Sequence, residues 1–314
     1  MPETARARMP LRFVVSGASG LVGSALIEAL EPGHQVERLV RRAAAPGAAE
    51  IAWNPGKGTI DREALEGADV VVHLAGESVA ARWTDARKRA IRESRVASTG
   101  LLASTLADLR RPPRVLVSAS AVGYYGDRGE KTVTEDSPPG VGFLADTARA
   151  WEAAAEPATE AGIRVVHPRI GMVLSARGGA LAQMLTPFRL GMGGVVGSGR
   201  QQMSWIALAD LTAVIEHLAL ADEMSGPVNA VAPHPVTNRE FTATLGRVLG
   251  RPTLMPLPGF MVRLLFGDMG QALLLDGARV LPSRLEASGF QFRYPRLEEA
   301  LRAELGGRRQ GPSH

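Results

Sequence analysis

The first candidate for chemistry in the chain is a set of three glycines spaced three residues apart, Gly17, Gly20 and Gly23. They follow a β-branched and aromatic run at residues 12–16 and precede an apolar helical pattern. A glycine turn between a buried strand and a helix lets the backbone approach a pyrophosphate, and the helix N-terminus offers it free N–H groups. The alternative is a plain structural turn. We predict a dinucleotide-binding loop that includes Gly17, Ser19, Gly20, Leu21, Val22 and Gly23.

Two arginines, Arg41 and Arg42, directly follow the second predicted strand at residues 35–40. A site for NAD(H) usually has Asp or Glu here to hold the ribose hydroxyls, whereas arginine can hold a 2′-phosphate. The alternative is a solvated basic turn, because arginine is abundant in this chain. We predict NADP(H) as the cofactor.

The elements around these residues alternate between strands and helices. Further buried strands are predicted at residues 69–74, 114–118 and 162–167, and one of the intervening helices around 145–160. Such alternation indicates a parallel sheet that helices cover on both faces. Glycine-rich loops interrupt the pattern after about residue 175. We therefore predict an α/β fold: a Rossmann-type doubly wound parallel sheet over residues 1–175, to which 200–235 return, and a smaller C-terminal substrate lobe over 176–314.

The composition excludes several other kinds of site. There is no cysteine, and the six histidines show no metal-ligand spacing, so we expect no metal. The formal net charge is only +4, and most of the excess lies in the two terminal tails, which argues against nucleic acid. No apolar run is long enough to span a membrane, and the first ten residues lack the apolar segment of a signal peptide. We expect a cytoplasmic protein with a small-molecule substrate and neither a nucleic-acid nor a membrane partner.

An ordered set of short motifs extends along nearly the whole chain. Besides the glycine loop, it consists of His73-Leu-Ala-Gly-Glu77, Arg82-Trp83-Thr84, Ser94-Arg95, Ser118-Ala-Ser-Ala-Val-Gly-Tyr-Tyr-Gly126, Trp151-Glu152, Arg169-x-Gly-x-Val-Leu174, Pro187-Phe-Arg-Leu-Gly191, Gly197-Ser-Gly199, and Ser204-Trp-Ile206 with Asp210. Together they resemble the extended short-chain dehydrogenase/reductase superfamily. The most similar subgroup is that of the atypical epimerase family proteins, which resemble NAD-dependent epimerase/dehydratases. The stretch at about 251–301 is similar to their appended domain of unknown function.

The resemblance implies further cofactor contacts at strand ends. Leu74, Ala75 and Gly76 match a segment whose backbone passes close to the adenosine ribose and pyrophosphate. Arg95 matches a second arginine contact to NADP, although a helix-borne arginine is more often a surface ion-pair partner. The remaining implied contacts are Ser118, Pro168 and Arg169.

The catalytic pair of the superfamily is missing from this sequence. Its members normally use a serine, a tyrosine as general acid/base and a lysine four residues after the tyrosine. Ser120 matches the serine, or else caps a strand end. Phe143 and Thr147 stand at the apparent tyrosine and lysine positions. Phenylalanine cannot transfer a proton, and threonine cannot supply a positive charge.

Three other residues could supply the missing chemistry. Tyr124 or Tyr125 offers a phenol, or else packs as an aromatic pair, and Glu77 offers a carboxylate, or else has a structural role. Our catalytic candidates are therefore Ser120, Tyr124, Tyr125 and Glu77. The resemblance also suggests a substrate cleft lined by Arg189, Arg200 and Trp205. Alternatively, the two arginines are surface charges and Trp205 is a core aromatic residue. We expect an NADP(H)-dependent oxidoreductase or epimerase; the alternative is a non-catalytic NADP(H)-binding sensor or regulator, for example of cell division.

Overall fold

A nine-stranded sheet forms the centre of the computed structural model, which describes residues 9–306. The strands of the protein are β1 (Arg12–Ser16), β2 (Gln35–Val40), β3 (Glu50–Asn54), β4 (Thr59–Ile60), β5 (Val70–His73), β6 (Val115–Ser118), β7 (Ser120–Ala121), β8 (Thr132–Val133), β9 (Arg164–Ile170), β10 (Met172–Leu174), β11 (Gln202–Met203), β12 (Trp205–Ala207), β13 (Gly226–Ala230), β14 (Val236–Thr237) and β15 (Arg279–Val280). The outer parts of both terminal tails, on which the expectations about charge and a signal peptide depend, lie outside the described residues.

Eleven α-helices accompany the strands within residues 9–306. They are α1 (Leu21–Leu30), α2 (Arg62–Leu65), α3 (Asp85–Ala107), α4 (Phe143–Ala153), α5 (Glu156–Glu160), α6 (Gly179–Arg189), α7 (Leu208–Leu220), α8 (Asn238–Leu249), α9 (Gly259–Gly270), α10 (Ser283–Ala287) and α11 (Leu297–Gly306). Two 3₁₀ turns, Pro55–Lys57 and Val122–Tyr125, and one π-helical turn, Gln271–Leu275, complete the helical segments. None of the described helices is long and apolar enough to cross a bilayer.

The strand order of the main sheet confirms the predicted Rossmann-type α/β fold. The order is β13-β9-β6-β5-β1-β2-β3-β4, and β7 also pairs with β9. Every pair is parallel except β3 with β4. The chain leaves β1 in one direction through β2 and returns on its other side as β5. Ligands of doubly wound sheets bind at this switch point, in the crevice at the carboxyl ends of the strands.

Alternate residues of β1 face two separate apolar cores. Phe13 and Val15 pack with Leu26 of α1 and with residues of α7 on one face of the sheet. Val14 packs with Leu102 of α3 and with residues near α5 on the other face. Because both faces are covered, the central strands are apolar throughout and do not alternate with polar residues. The first helix and the glycine loop are thereby held against a rigid sheet.

A third apolar cluster lies in the C-terminal half of the chain. It joins α6, α8 and α11 to β10 and β12, with Trp205 and Phe241 among its buried side chains. β13, however, belongs to the main sheet, where it pairs with β9 along Gly226–Ala230. The proposed domain boundaries stay a prediction.

The helix predicted around residues 145–160 consists of two helices, α4 and α5. Pro157 stands in the first turn of α5. Proline has no N–H and clashes with the preceding turn in a helix interior, but it fits a helix start, where the N–H would be unpaired in any case. The chain therefore ends α4 and begins α5 before this proline.

Candidate cofactor-binding and active site

The three glycines of the loop after β1 have different physical roles. Gly17 has a φ of +69°, and a Cβ there would lie 2.8 Å from the carbonyl carbon of Leu74, at the end of β5. A Cβ on Gly23 would overlap the carbonyl oxygen of Gly17. Gly20 is exposed with an extended φ of −78°, and its Cβ would meet only the Gly17 oxygen, at 3.2 Å. Folding therefore requires Gly17 and Gly23, whereas Gly20 leaves open space at the surface.

The N-terminus of α1 opens onto that space. No side chain caps this end, and the first turn contains no acidic residue. The first N–H groups of the helix are thus available to an anion, and the helix dipole favours negative charge there. A bare backbone at an uncapped helix start fits the pyrophosphate of a dinucleotide.

A buried hydrogen-bonded chain holds the glycine loop against the next strand. Ser16 Oγ contacts His73 Nδ1 at 2.6 Å and accepts the N–H of Leu74 at 3.1 Å. On the other side of the ring, His73 Nε2 lies 3.1 Å from Ser98 Oγ, which donates to the carbonyl of Ser94. Burial lowers the pKa of His73 to about 4, so the ring is neutral at pH 7. Ser16 and Ser98 were not among the predicted site residues, because their contact depends on strand pairing.

A shallow recess beyond the end of β2 brings three cations together. Arg41, Arg42 and Lys57 all line it, along with Trp53 of β3. Arg42 is paired with Glu50, its Nη2 lying 2.6 Å from Oε1, whereas Arg41 and Lys57 form no ion pair within residues 9–306. Lys57 was not among the predicted site residues. Lys57 reaches the recess because β3 pairs in parallel with β2, and no local motif predicts this pairing.

Arg95 lies beneath the backbone that follows β5. Its Nη1 donates to the carbonyl oxygens of Glu77 and Ile91, both at 3.0 Å, and its guanidinium faces the Trp151 ring at 5.0 Å. A Cβ on Gly76 would lie 3.2 Å from Arg95 Cζ. Arg95 thus supports the Leu74–Gly76 segment from below, and its predicted contact to the cofactor stays a prediction. The Glu77 carboxylate is 3.2 Å from Arg87 Nη1.

The hydroxyl of Ser120 belongs to a buried ionic cluster. It donates to Glu152 Oε1 at 2.6 Å. The same carboxylate receives two hydrogen bonds from Arg169, at 2.8 and 2.9 Å, and Arg169 is only 3% exposed. Because the Ser120 proton is committed to a carboxylate, the Ser120 oxygen is left with acceptor capacity only. Every nitrogen of the Arg169 guanidinium is likewise hydrogen-bonded within the protein, and Pro168 beside it is buried.

The two neighbouring tyrosines of the 3₁₀ turn differ in accessibility. Tyr125 is fully buried; its hydroxyl donates to Asn229 Oδ1 at 2.7 Å and accepts from Arg169 Nη1 at 2.9 Å. Burial raises the pKa of Tyr125 despite the nearby Arg169. Tyr124 is half-buried, and the Arg169 guanidinium lies 3.4 Å from its ring centre. Of the two phenols, only that of Tyr124 has accessible surface.

Helix α4 presents two faces on which a tyrosine and lysine pair could stand. Residues 143, 147 and 151 share one face, where Phe143 packs edge-to-face against Trp83 with ring centres 4.9 Å apart and Trp151 Nε1 donates to Thr99 of α3. Residues 144, 148 and 152 share the face toward Ser120 and the 3₁₀ turn. These are Leu144, Ala148 and Glu152, so the pair is missing on either face.

Two buried hydroxyls have no hydrogen-bond partner within residues 9–306: Ser118 Oγ at the end of β6 and Thr147 Oγ1 on α4. Ser118 ends β6 beside the end of β5, in register with His73. Buried polar atoms are nearly always paired in proteins. The unpaired Ser118 is compatible with its predicted place near a ligand.

The residues suggested for a substrate cleft do not form one group. Trp205 is fully buried in the third apolar cluster and donates to the carbonyl of His234, so it is a core aromatic. Arg189 and Arg200 are exposed.

Comparison with known proteins agrees with this geometry. The NAD dependent epimerase/dehydratase family model matches residues 13–230, and the model of a domain of unknown function, DUF1731, matches residues 257–304. An epimerase family protein of Mycobacterium bovis is 45% identical over 91% of this chain and 95% of its own length.

Two solved structures are similar over most of this chain. The human epimerase family protein SDR39U1, solved with NADPH, has a TM-score of 0.86 and 36% identity over 94% of this chain and 99% of its own. A nucleoside-diphosphate sugar epimerase from Corynebacterium glutamicum has a TM-score of 0.79 and 39% identity over 95% of this chain and 59% of its own. These matches confirm the resemblance found in the motifs: the chain belongs to the NAD-dependent epimerase/dehydratase family.

Proposed function

We propose that the protein binds NADP(H) and acts as an oxidoreductase or epimerase on a small substrate. The observation that carries the proposal is the uncapped start of α1 behind the open space at Gly20, with Arg41 and Lys57 in a recess beyond β2. The NADPH in the structure of the human relative supports the same choice of cofactor.

Different parts of the site hold different parts of the cofactor. The loop from Gly17 to Gly23 and the first N–H groups of α1 hold the pyrophosphate, and Arg41 with Lys57 holds the 2′-phosphate. Arg42 neutralises Glu50 and thereby keeps a carboxylate away from the phosphate. When bound, the nicotinamide supplies a site that accepts or donates hydride.

Ser120 and Tyr124 have different roles toward the substrate. Ser120, whose proton is held by Glu152, accepts a hydrogen bond from a substrate hydroxyl. Tyr124 donates a proton to the substrate, since the Tyr125 hydroxyl already has both a donor and an acceptor inside the protein. Without a lysine on either face of α4, the cation beside Tyr124 is Arg169, whose charge is already balanced by Glu152, so it gives a tyrosine base little assistance. We therefore favour reduction of an already polarised carbonyl or alkene over alcohol oxidation.

The same observations favour a second candidate function, an NADP(H)-binding sensor or regulator that does no chemistry. The tyrosine and lysine pair is absent, and Ser120 and Tyr125 are both committed to structural contacts. A buried hydroxyl with protein partners can serve folding alone.

Cofactor titration of matched variants tests the assignment of the phosphate site. Arg41→Ala and Lys57→Ala should each weaken NADPH binding about tenfold or more and leave NADH binding nearly unchanged, because each removes a charge-assisted contact to phosphate. Arg110→Ala, which removes an exposed arginine outside the recess, is the matched control and should have a much smaller effect. Equal affinity of the wild type for NADPH and NADH would refute the proposed choice of cofactor.

A comparison of Tyr124→Phe with Tyr125→Phe separates the enzyme from the sensor. On a panel of carbonyl and nucleotide-sugar substrates, an enzyme should oxidise NADPH, and Tyr124→Phe should slow it by at least about a hundredfold. Tyr125→Phe should mainly reduce stability. NADPH that binds tightly but stays unoxidised with every substrate would favour the sensor.

A further inference from the structure

The exposed apolar side chains of this protein are concentrated on one surface. Within residues 9–306, eleven large hydrophobic side chains are exposed, and nine of them lie at residues 190–192 and 254–273. We call these nine the apolar surface: Leu190, Met192, Leu254, Met255, Phe260, Met261, Leu264, Leu265 and Leu273, with exposed fractions from 37% to 80%. Soluble monomers rarely expose such a group of neighbours without a function for it.

The two segments that carry the apolar surface are joined by backbone contacts. The N–H of Met255 donates to the carbonyl of Gly193 at 3.3 Å, and that of Leu257 donates to Val195 at 2.9 Å. Helix α9 begins two residues later, and Phe260 and Leu264 stand one helical turn apart on it. Only Val262 and Gly270 of α9 are buried. The helix therefore lies on the protein with most of its apolar side chains outward.

The charges on these segments are positive except for that of Asp268. Residues 187–200 and 250–267 contain four arginines, Arg189, Arg200, Arg251 and Arg263, and no aspartate or glutamate. None of the four forms an ion pair with any residue in the described part of the chain. The next acidic residue, Asp268, is already paired with Lys88 at 2.6 Å. The apolar surface is thus flanked by unneutralised positive charge.

We propose that the apolar surface docks on an anionic lipid bilayer. Exposed Phe and Leu side chains next to unpaired arginines are the composition by which interfacial helices insert between headgroups and attract anionic lipids. A symmetric contact with a second copy would place the same four arginines opposite one another, with no carboxylate to compensate them. The sequence-based expectation of no membrane partner came from the absence of a spanning run, which surface docking does not need.

Vesicle sedimentation tests the proposal on the full-length protein. The wild type should bind vesicles of phosphatidylcholine with phosphatidylglycerol much more strongly than vesicles of phosphatidylcholine alone, and added salt should weaken the binding. The double variant Phe260→Ser with Leu264→Ser should have a partition coefficient into the anionic vesicles that is lower by at least about tenfold. Val141→Ser is its control, since Val141 is 91% exposed and lies outside the apolar surface.

A second pair of variants tests the electrostatic part. Arg189→Ala with Arg251→Ala should reduce binding to the anionic vesicles by about twenty-five-fold, at roughly fivefold for each charge. Arg92→Ala with Arg110→Ala removes two exposed arginines of α3 and its following loop and should leave binding unchanged.

Light scattering on the same samples measures the oligomeric state and so tests the alternative partners of the apolar surface. If the wild type is a dimer and the Phe260 and Leu264 substitutions make it a monomer, the apolar surface is a contact between two copies of the chain, and the proposal is overturned. A monomer that binds neither kind of vesicle, or both kinds equally, would also overturn it and leave the surface to a protein partner.

Discussion

Among single residues, Gly20 is the loop glycine that folding constrains least. Its φ is extended, and only one backbone oxygen lies near the position of a Cβ. Gly17 and Gly23, in contrast, are needed where the loop backbone touches β5 and where α1 starts. The spacing of three glycines thus combines two structural residues with one that leaves room for a ligand.

Gly20→Val should therefore abolish NADPH binding while the protein stays folded. The branched side chain would occupy the space in front of the α1 N-terminus, and replacing a helix N-cap glycine by valine should cost only about 1 kcal/mol of stability. Circular dichroism and cofactor titration measure the two effects. Gly23→Ala should unfold the protein, because its Cβ would overlap the Gly17 carbonyl. A folded Gly20→Val variant with undiminished affinity would show that the loop is merely a turn.

His73 should make the protein sensitive to acid. Its pKa is 6.5 when unfolded and about 4 in the fold, so between these values the unfolded chain binds a proton that the native state does not. The free energy of unfolding should therefore fall by about 3 kcal/mol from this residue as the pH drops from 6.5 to 4. Urea denaturation at several pH values should show a flatter profile for His73→Gln. A variant of the exposed His234, His234→Gln, should follow the wild type, and an unchanged profile for His73→Gln would contradict the assignment.

At the scale of elements, the Glu152–Arg169 pair fixes α4 against the main sheet. Glu152 belongs to α4, Arg169 to β9, and Ser120 to β7, which pairs with β9. The same Arg169 reaches Tyr125 of the 3₁₀ turn. These contacts determine where the accessible face of Tyr124 stands.

Glu152→Ala should destabilise the protein by about 3–5 kcal/mol, because the buried Arg169 guanidinium loses its carboxylate. Ser120→Ala removes a single donor and should cost about 1 kcal/mol. Chemical denaturation measures both. Arg302→Ala breaks an exposed pair with Glu298 in α11 and should have a far smaller effect. Equal losses for Glu152→Ala and Arg302→Ala would mean that the buried pair does not hold α4.

How far the sequence predicts these elements depends on the range of the contacts. The first strand, glycine loop and helix are local, and periodicity predicts them from neighbouring residues. The approach of Lys57 to Arg41 depends on the pairing of β2 with β3, and the bond from Ser120 to Glu152 spans thirty-two residues. Neither follows from a motif. Which face of α4 points toward Ser120 likewise depends on how the helix packs in the fold, so the sequence alone does not predict it.

At the scale of the whole molecule, the C-terminal segment contributes to every major core except the one beneath α3. Leu285 belongs to the cluster under α1 and α7, Val280 packs with Tyr125, and Leu297 and Leu301 pack with Trp205. β15 also pairs with β8. The region matched as a domain of unknown function is therefore part of the packing of the nucleotide-binding fold.

A chain truncated after residue 256 should consequently fail to fold. Four fully or nearly buried side chains, Val280, Leu285, Leu297 and Leu301, contribute about 1.5–3 kcal/mol each, so their loss removes about 6–12 kcal/mol. The total stability of a domain is about 5–15 kcal/mol, which leaves little or no margin. Circular dichroism and urea denaturation of the truncated chain would measure the effect, and truncation after residue 306, beyond α11, is the control that should stay folded. A cooperative unfolding transition of the 1–256 chain near that of the full protein, with NADPH still bound, would show instead that the segment is an independent addition.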